Sequence, residues 1–433
     1  MIRGILLLLL PLSLSAREKE GVPYDFSTFQ PNTQCKTHNV GNLLHTITNW
    51  GFYGSGNGSY CSGAPGAEWP AGSSVEFLFG GGLWIGAIVS GDTHVSEGFG
   101  GGLYAYELFP GDSPGDTILE EQMISDQDFI ASYSDTLLPP WAPPDHIPLG
   151  ITILQKSYVW STPGLNDFII FDNQLVNLGT NFLQDLYWGI YYDPDIGHSS
   201  VGARHVDDIT GFIDTLFMAW ARDDNGDGGL SQGLIGVKFL CESIPQISYN
   251  TYDSLNYGPD EDVMKYRDLS NGMIDPDHMV PDDIRFLLTS GPFQMNPGDT
   301  INIIFVVAGG ESLEALIENV QTAEGLCGQL GIAESNPIKN HAKVSLHQNR
   351  PNPFYNRTEI GYFIPKSGFI TLKIYDLSGR LVETLVNKVQ ESGVYRVEWD
   401  GMNYSSGVYF YHLQSQNISL TKKLILLHGM TTP

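Results

Sequence analysis

The stretch DFIIFDNQLVNLGTNFLQDLYWGIYYDPDIG, residues 167–197, decides the fold class. Phe168, Ile170 and Asp172 alternate with Ile169, Phe171 and Asn173, which is the period of a β-strand. Asn177 to Thr180 read as a turn, and Leu186 to Tyr192 as the returning strand. Further along, SGPFQMNPGDTINIIFVVAGG supplies another strand, Thr300 to Ala308, led in by a turn at Pro297 and Gly298. Upstream, SSVEFLFGGGLWIGAIVSGDTHVSEG predicts two strands around a Gly80 to Gly82 turn, with a second turn at Gly91 and Asp92. Residues 110–150 read as irregular loop, stiffened by the prolines of LPPWAPPDHIP. One helix is expected: Leu313, Leu316, Ile317, Val320, Ala323 and Cys327 recur at helical spacing, Ser312 can cap the start and Gly328 the end. Its apolar stripe should dock on the preceding sheet.

Composition agrees with a mainly β chain. Among 433 residues, 49 are Gly, 25 Pro, 21 Tyr and 21 Phe, a mixture that suits short strands joined by turns in two or three domains. The opening MIRGILLLLLPLSLSA has the layout of a cleavable signal peptide, residues 1–16, too short to span a bilayer, and no later stretch reaches transmembrane length. Residues 17–330 read as a β-rich body, divisible near 28–150 and 151–330, followed by a linker at 331–343 and a small β module at 344–433. The net charge of −27 is uneven: residues 1–339 hold 12 Lys+Arg against 43 Asp+Glu, and residues 340–433 hold 10 against 6. So acidic a body repels nucleic acid and suits solubility or cation binding. Cys35, Cys61, Cys241 and Cys327 permit two disulfides in three connectivities. Cys35 with Cys61 is favoured, because both flank a Gly/Ser-rich loop; no zinc spacing or C-x-x-C occurs.

From Val344 the segments NRPNPFYNRTEIGYFIP, GFITLKIYDLSGRLVETLV, SGVYRVEWDG, SSGVYFYHLQ and TKKLILL follow one another. Ile370, Leu372 and Ile374 define one apolar strand face, Tyr395, Val397 and Trp399 a second, and Tyr409, Tyr411 and Leu413 a third. Pro351 and Pro353 remove backbone donors, so the opening segment belongs at an edge or outside the ladder. These segments resemble the type A C-terminal sorting domain of the type IX secretion system. That resemblance implies a small immunoglobulin-like sandwich grasped by the outer-membrane translocon and removed by its sorting peptidase, the cargo being released or joined to surface lipopolysaccharide. By the same resemblance Pro351, Asn352, Pro353, Phe354, Gly379, Gly407, Tyr409, Lys422 and Lys423 belong to the recognised module, none of them catalytic. The strands of residues 167–197 similarly resemble paired strands of immunoglobulin-like extracellular sandwiches.

In the body, RDDNGDGGL at 222–230 places Asp223, Asn225 and Asp227 two apart before Gly228, the first half of a calcium loop. The twelfth position is Leu234 in place of the bidentate Glu, so an EF-hand is excluded. Asp193 and Asp195, with Asp207 and Asp208 of HVDD, could complete an oxygen site for calcium; the alternative reading is polar turns between strands. His198 and His205 are further candidates for a metal or for acid–base work, against a role as loop histidines. Glu68, Glu76, Glu97 and Glu107 near Trp69, Trp84 and Tyr104 would suit a sugar cleft, although no nucleophile elbow, H-E-x-x-H helix or P-loop occurs. The expected function is therefore a secreted or cell-surface protein whose body is a non-catalytic structural or binding module. A secreted hydrolase of polysaccharide or protein, and a carbohydrate-binding or adhesive protein, are the alternatives.

Overall fold

The computed structural model describes residues 33–427, except 57–60, 101–106, 111–116, 137–145, 203, 241–246, 330–343, 347–348, 350–351, 365–366, 391–392 and 416–417. The signal peptide and linker segments of the sequence thus lie outside the described residues, as do Cys241, Tyr104 and Pro351. Among the described residues the body is a sandwich of two antiparallel sheets with eleven and nine strands. The first is centred on Gly80–Val89, Leu183–Asp193 and Arg285–Met295, the second on Leu234–Leu240, Thr300–Gly310, Phe168–Asn177 and Ile151–Val159. Between them, Tyr53 of the first sheet meets Phe171 and Phe305 of the second edge-on, at 5.2 and 6.0 Å between ring centres. Its hydroxyl donates to Gln155 Oε1 at 2.8 Å, which satisfies a polar group inside the core.

The two strands of residues 167–197 form as expected, but they do not pair with each other. Phe168–Asn177 hydrogen-bonds to Ile151–Val159 and Thr300–Gly310, whereas Leu183–Asp193 hydrogen-bonds to Gly80–Val89 and Arg285–Met295. The chain crosses from one sheet to the other through residues 178–182. The cause is apolar surface on both faces: Ile169, Phe171 and Leu175 join the inter-sheet core, while Phe168 and Ile170 join a second core behind the sheet. A strand buried on both faces takes a central position with two neighbours, which a simple hairpin would not give it.

Two other expectations are corrected. Gly80 to Gly82 make no turn; they lie within the strand Gly80–Val89. A Cβ on Gly82 would stand 2.4 Å from the Phe99 backbone nitrogen, so glycine here serves close approach. The tight turn falls at Ser90-Gly91, both with positive φ, and Val89 pairs with Asp92 across it. Residues 110–150 contain the strands Leu119–Glu121 and Gln127–Ser134, the latter directing Phe129, Ala131 and Tyr133 to the core.

Each sheet has a helix on its outer face. A helix unforeseen from the sequence, α1 (Asp262–Ser270), lays Tyr266 and Leu269 on Trp84, Tyr187 and Leu287 of the first sheet. Gly189 admits it, since a Cβ there would lie 2.7 Å from a Leu269 methyl. The expected helix, α2 (Leu313–Gln329), packs Leu316, Val320, Ala323 and Cys327 on Ile170, Ile304 and Val306 of the second. Ser312 Oγ accepts from Ala315 N at 3.3 Å, and the helix continues one residue past Gly328. Cys35 and Cys61 are joined by a disulfide, and Cys327 is also disulfide-bonded.

The C-terminal strands build two smaller sheets. One contains Ser345–Leu346, Arg357–Ile364 and Gly393–Asp400; the other contains Leu381–Gln390, Gly368–Asp376, Gly407–Ser415 and Ile418–Leu426. Among the described residues their shared core, from Val344 to Leu426, includes Ile370, Leu372, Ile374, Trp399, Tyr409, Tyr411 and Leu413 and no body residue.

His45, 1% exposed, sits edge-on to Tyr53 and Phe171 in the inter-sheet core, and burial pushes its imidazole down to about 4. A depressed folded-state value means that the neutral ring stabilises the fold above the unfolded value of about 6.5, and that this contribution is lost as pH falls toward 4. His45→Phe should therefore gain ~2 kcal/mol relative to the wild type on moving from pH 8 to pH 5. Paired urea melts at the two pH values measure the change, and an unchanged difference would contradict it.

Candidate functional site

Strands Asp208–Ile213 and Met218–Asp223 form an antiparallel pair whose register sets Asp208 opposite Asp223. Directly opposed residues share a sheet face, so the two carboxylates are brought together; Asp208 is fully buried and Asp223 is 4% exposed. Beyond Asp223 the chain turns through left-handed conformations at Gly226, Asp227 and Gly228, with φ of 67°, 49° and 68°. Asn225 Oδ1 accepts from Asp227 N at 2.8 Å, and Asp223 Oδ1 accepts from Gly226 N. This curl returns Asp227 toward Asp223. One carboxylate oxygen each from Asp207, Asp223 and Asp227 then lies within 4.8 Å of the others.

The alternate-residue spacing is thus realised for Asp223 and Asp227. Asn225 instead shapes the loop: its carbonyl is taken by Asp227 N and its amide donates to Asp207 Oδ2. Asp193 and Asp195 gather elsewhere, with Asp283. That group carries its own cation, because Arg285 Nε lies 3.2 Å from Asp193 Oδ1 and its Nη2 lies 2.8 Å from Asp283 Oδ1. Neither His198 nor His205 belongs to either group. His198 uses Nδ1 on Ser200 Oγ at 2.6 Å, and its backbone N–H bonds Ser231 Oγ and Asp227 Oδ2. Burial raises Asp223 to about 6, and the Asp227 and Asp207 charges push it in the same direction. Asp208 is raised well above the ordinary carboxylate range by burial, with Asp195, Asp223 and Asp207 adding to the effect.

The glutamates divide into two pairs. Glu68 and Glu76 face each other on adjacent short strands and brace turns: Glu76 accepts from Gly66 N, and Glu68 accepts from Gly72 N and Ser74 N. Glu97 and Glu107 meet inside the protein. Glu97 Oε1 lies 2.6 Å from Lys265 Nζ of α1, and its backbone N–H donates to Glu107 Oε2 at 3.1 Å. Glu107 Oε1 lies 3.1 Å from His146 Nδ1. Burial pushes Glu97 up to about 8 against the pull of Lys265. Burial also opposes charge on Lys265 and His146, but the neighbouring glutamates outweigh it and raise both. With Glu97 1% and Glu107 4% exposed, two carboxylates converge without being open to a polymer substrate. Trp69 and Trp84 are likewise core, donating their indole N–H groups to Asp167 Oδ1 and Phe99 O.

At the other end of the chain, Asn352 Oδ1 accepts from Ile425 N at 2.9 Å, and Phe354 exchanges backbone hydrogen bonds with Ile425 and Leu427. Phe354, 1% exposed, rests on Trp399. The Asn-Pro-Phe segment is thereby clasped to the last strand, Ile418–Leu426, and Pro353 stands outside the ladder. Gly379 takes φ of 80° in the turn closed by Asp376 and Arg380. Gly407 pairs with Leu426, and Tyr409 donates its hydroxyl to Ser405 O at 2.7 Å. Lys422 and Lys423 lie on the last strand, which turns Leu424 and Leu426 to the core.

Comparison with known proteins agrees with this terminal unit. Residues 350–427 match the family described as secretion system C-terminal sorting domain. Residues 350–427 are therefore a type IX sorting domain, which implies interaction with the secretion machinery and a secreted or cell-surface protein. No curated protein matches the sequence. Among solved structures, a polysaccharide lyase is similar at 11% identity and a TM-score of 0.34, over 93% of this chain and 47% of that one. PorZ, described as an essential bacterial surface component of the type-IX secretion system of Porphyromonas gingivalis, is similar at 10% identity and a TM-score of 0.15, over 92% of this chain and 59% of its own. The chain spans about half the length of the lyase, and likeness at these scores carries no argument about activity. Among the described residues no helix is long and apolar enough to cross a membrane.

At pH 9, above the Glu97 value of about 8, Lys265→Met should destabilise the protein by about 3–5 kcal/mol, because it leaves the buried Glu97 carboxylate without its cation. Adding Glu97→Gln should return part of that loss. Denaturant midpoints of the two variants test this; a single variant with wild-type stability would show that the pair does not fasten α1.

Proposed function

We propose that this protein is delivered through the type IX translocon to the outer surface of the cell, and that its body acts there as a non-catalytic structural or binding module. The observation that carries the reading is the terminal sandwich, which closes a core of its own and clasps its Asn-Pro-Phe segment to the final strand. Such a unit can be grasped, and cut away by a sorting peptidase, without opening the body. An immunoglobulin-like arrangement of its strands and transfer of the body to surface lipopolysaccharide belong to the same reading. The disulfide between Cys35 and Cys61 suits an oxidising compartment beyond the cytoplasm. The burial of Glu97, Glu107, Trp69 and Trp84 favours a scaffold over a sugar cleft.

Deleting residues 344–433 in a host with this secretion system should leave a folded body in the periplasm. Fractionation and surface proteolysis distinguish the outcomes, and delivery of the truncated chain to the surface at the normal level would refute the reading.

A further inference from the structure

The carboxylates of Asp207, Asp223 and Asp227 come from three places: the approach to one strand, the end of its neighbour and the glycine-rich loop after it. Calcium holds oxygen ligands at roughly 2.3–2.6 Å, so opposite ligands stand about 4.6–5.2 Å apart. Three oxygens lying within 4.8 Å of one another fit around one such ion. The donors are all hard oxygens, the chemistry that selects calcium or magnesium over zinc or copper.

A second observation points to a cation independently of that convergence. Asp208 Oδ1 and Asp223 Oδ2 are buried, and neither has a hydrogen-bond partner among the described residues. The other oxygen of each is engaged, Asp208 Oδ2 by Ile196 N at 3.0 Å and Asp223 Oδ1 by Gly226 N. A buried carboxylate oxygen without a donor is costly, and its burden is relieved by a proton or by a positive ion. The Asp193, Asp195 and Asp283 group differs in being served by Arg285.

We propose that Asp207, Asp223 and Asp227 bind one calcium ion, with the buried Asp208, set opposite Asp223 by the strand register, beside them. The ion ties three segments together. Asp227 is already held by Ser231 Oγ and His198 N, Asp208 by Ile196 N, and Asp224 N by Asp207 O. A cation at their centre closes the end of the second sheet against the chain at residues 196–198. The inference is separate from the export reading, since it concerns the body alone.

The test uses the full-length secreted chain, stripped with chelator and titrated with calcium chloride in a calorimeter. One ion per chain is expected, with an affinity in the range of extracellular modules, about 10⁻⁴–10⁻³ M. Asp207→Asn and Asp227→Asn, both at partly exposed positions, should each weaken binding about tenfold or more by removing ligand charge. Asp193→Asn should leave it unchanged. In the wild type, calcium should slow amide exchange across residues 204–208 and 223–231, a readout that needs no variant to fold. Absence of binding at several times the top of that range, binding unaltered in both Asn variants, or slowed exchange confined to other segments would each overturn the proposal.

Discussion

Both large sheets of this protein are apolar on both faces, and the requirement to keep all four faces dry organises the rest of the molecule. The inner faces close on each other through Tyr53, Phe171 and Phe305. The outer faces take one helix each, α1 over Trp84 and Leu287, α2 over Ile170 and Val306. Because the strands at the centre need neighbours on either side, the chain shuttles between sheets. Acidic loops at the strand ends are drawn into two groups as a result, Asp193 and Asp195 with Asp283, and Asp207 with Asp223 and Asp227.

The helices differ in what they bury against their sheets. Helix α2 presents a stripe of Leu316, Val320, Ala323 and Cys327, so its buried face is apolar, and the Lys238–Glu324 pair at 2.7 Å adds to it from the helix's exposed side. Helix α1 buries Lys265 and Asp268 with Tyr266 and Leu269, and the Lys265 ammonium reaches Glu97 inside the sheet. A buried ion pair contributes little beyond what apolar residues of the same volume would, yet losing one partner is severe. The acidic surplus of the chain therefore makes the buried cations among the described residues, Lys238, Lys265 and Arg285, structurally decisive.

These differences explain what could be read from the residues. The α2 stripe is visible because its contacts recur at helical period; α1 is invisible because half of its buried face is polar. Ile169 and Phe171 announce a strand, but nothing local tells that Leu183–Asp193 belongs to the opposite sheet. Gly80 to Gly82 look like a turn, since the Phe99 backbone pressing on Gly82 is remote in sequence. The Asp223 and Asp227 spacing is readable, whereas Asp208 enters their company only through the cross-strand register.

By itself the sequence determined the strands of residues 167–197 and 300–308, helix α2 and the terminal sorting domain, because alternation, helical period and turn residues act over a few neighbours, and because the segments from Val344 onward carry that domain's pattern in order. The tertiary structure decided which strands neighbour one another, which acids meet and which are neutralised. Those outcomes depend on several distant faces being buried at once and on the register between strands, and neither quantity is carried by any short stretch of residues.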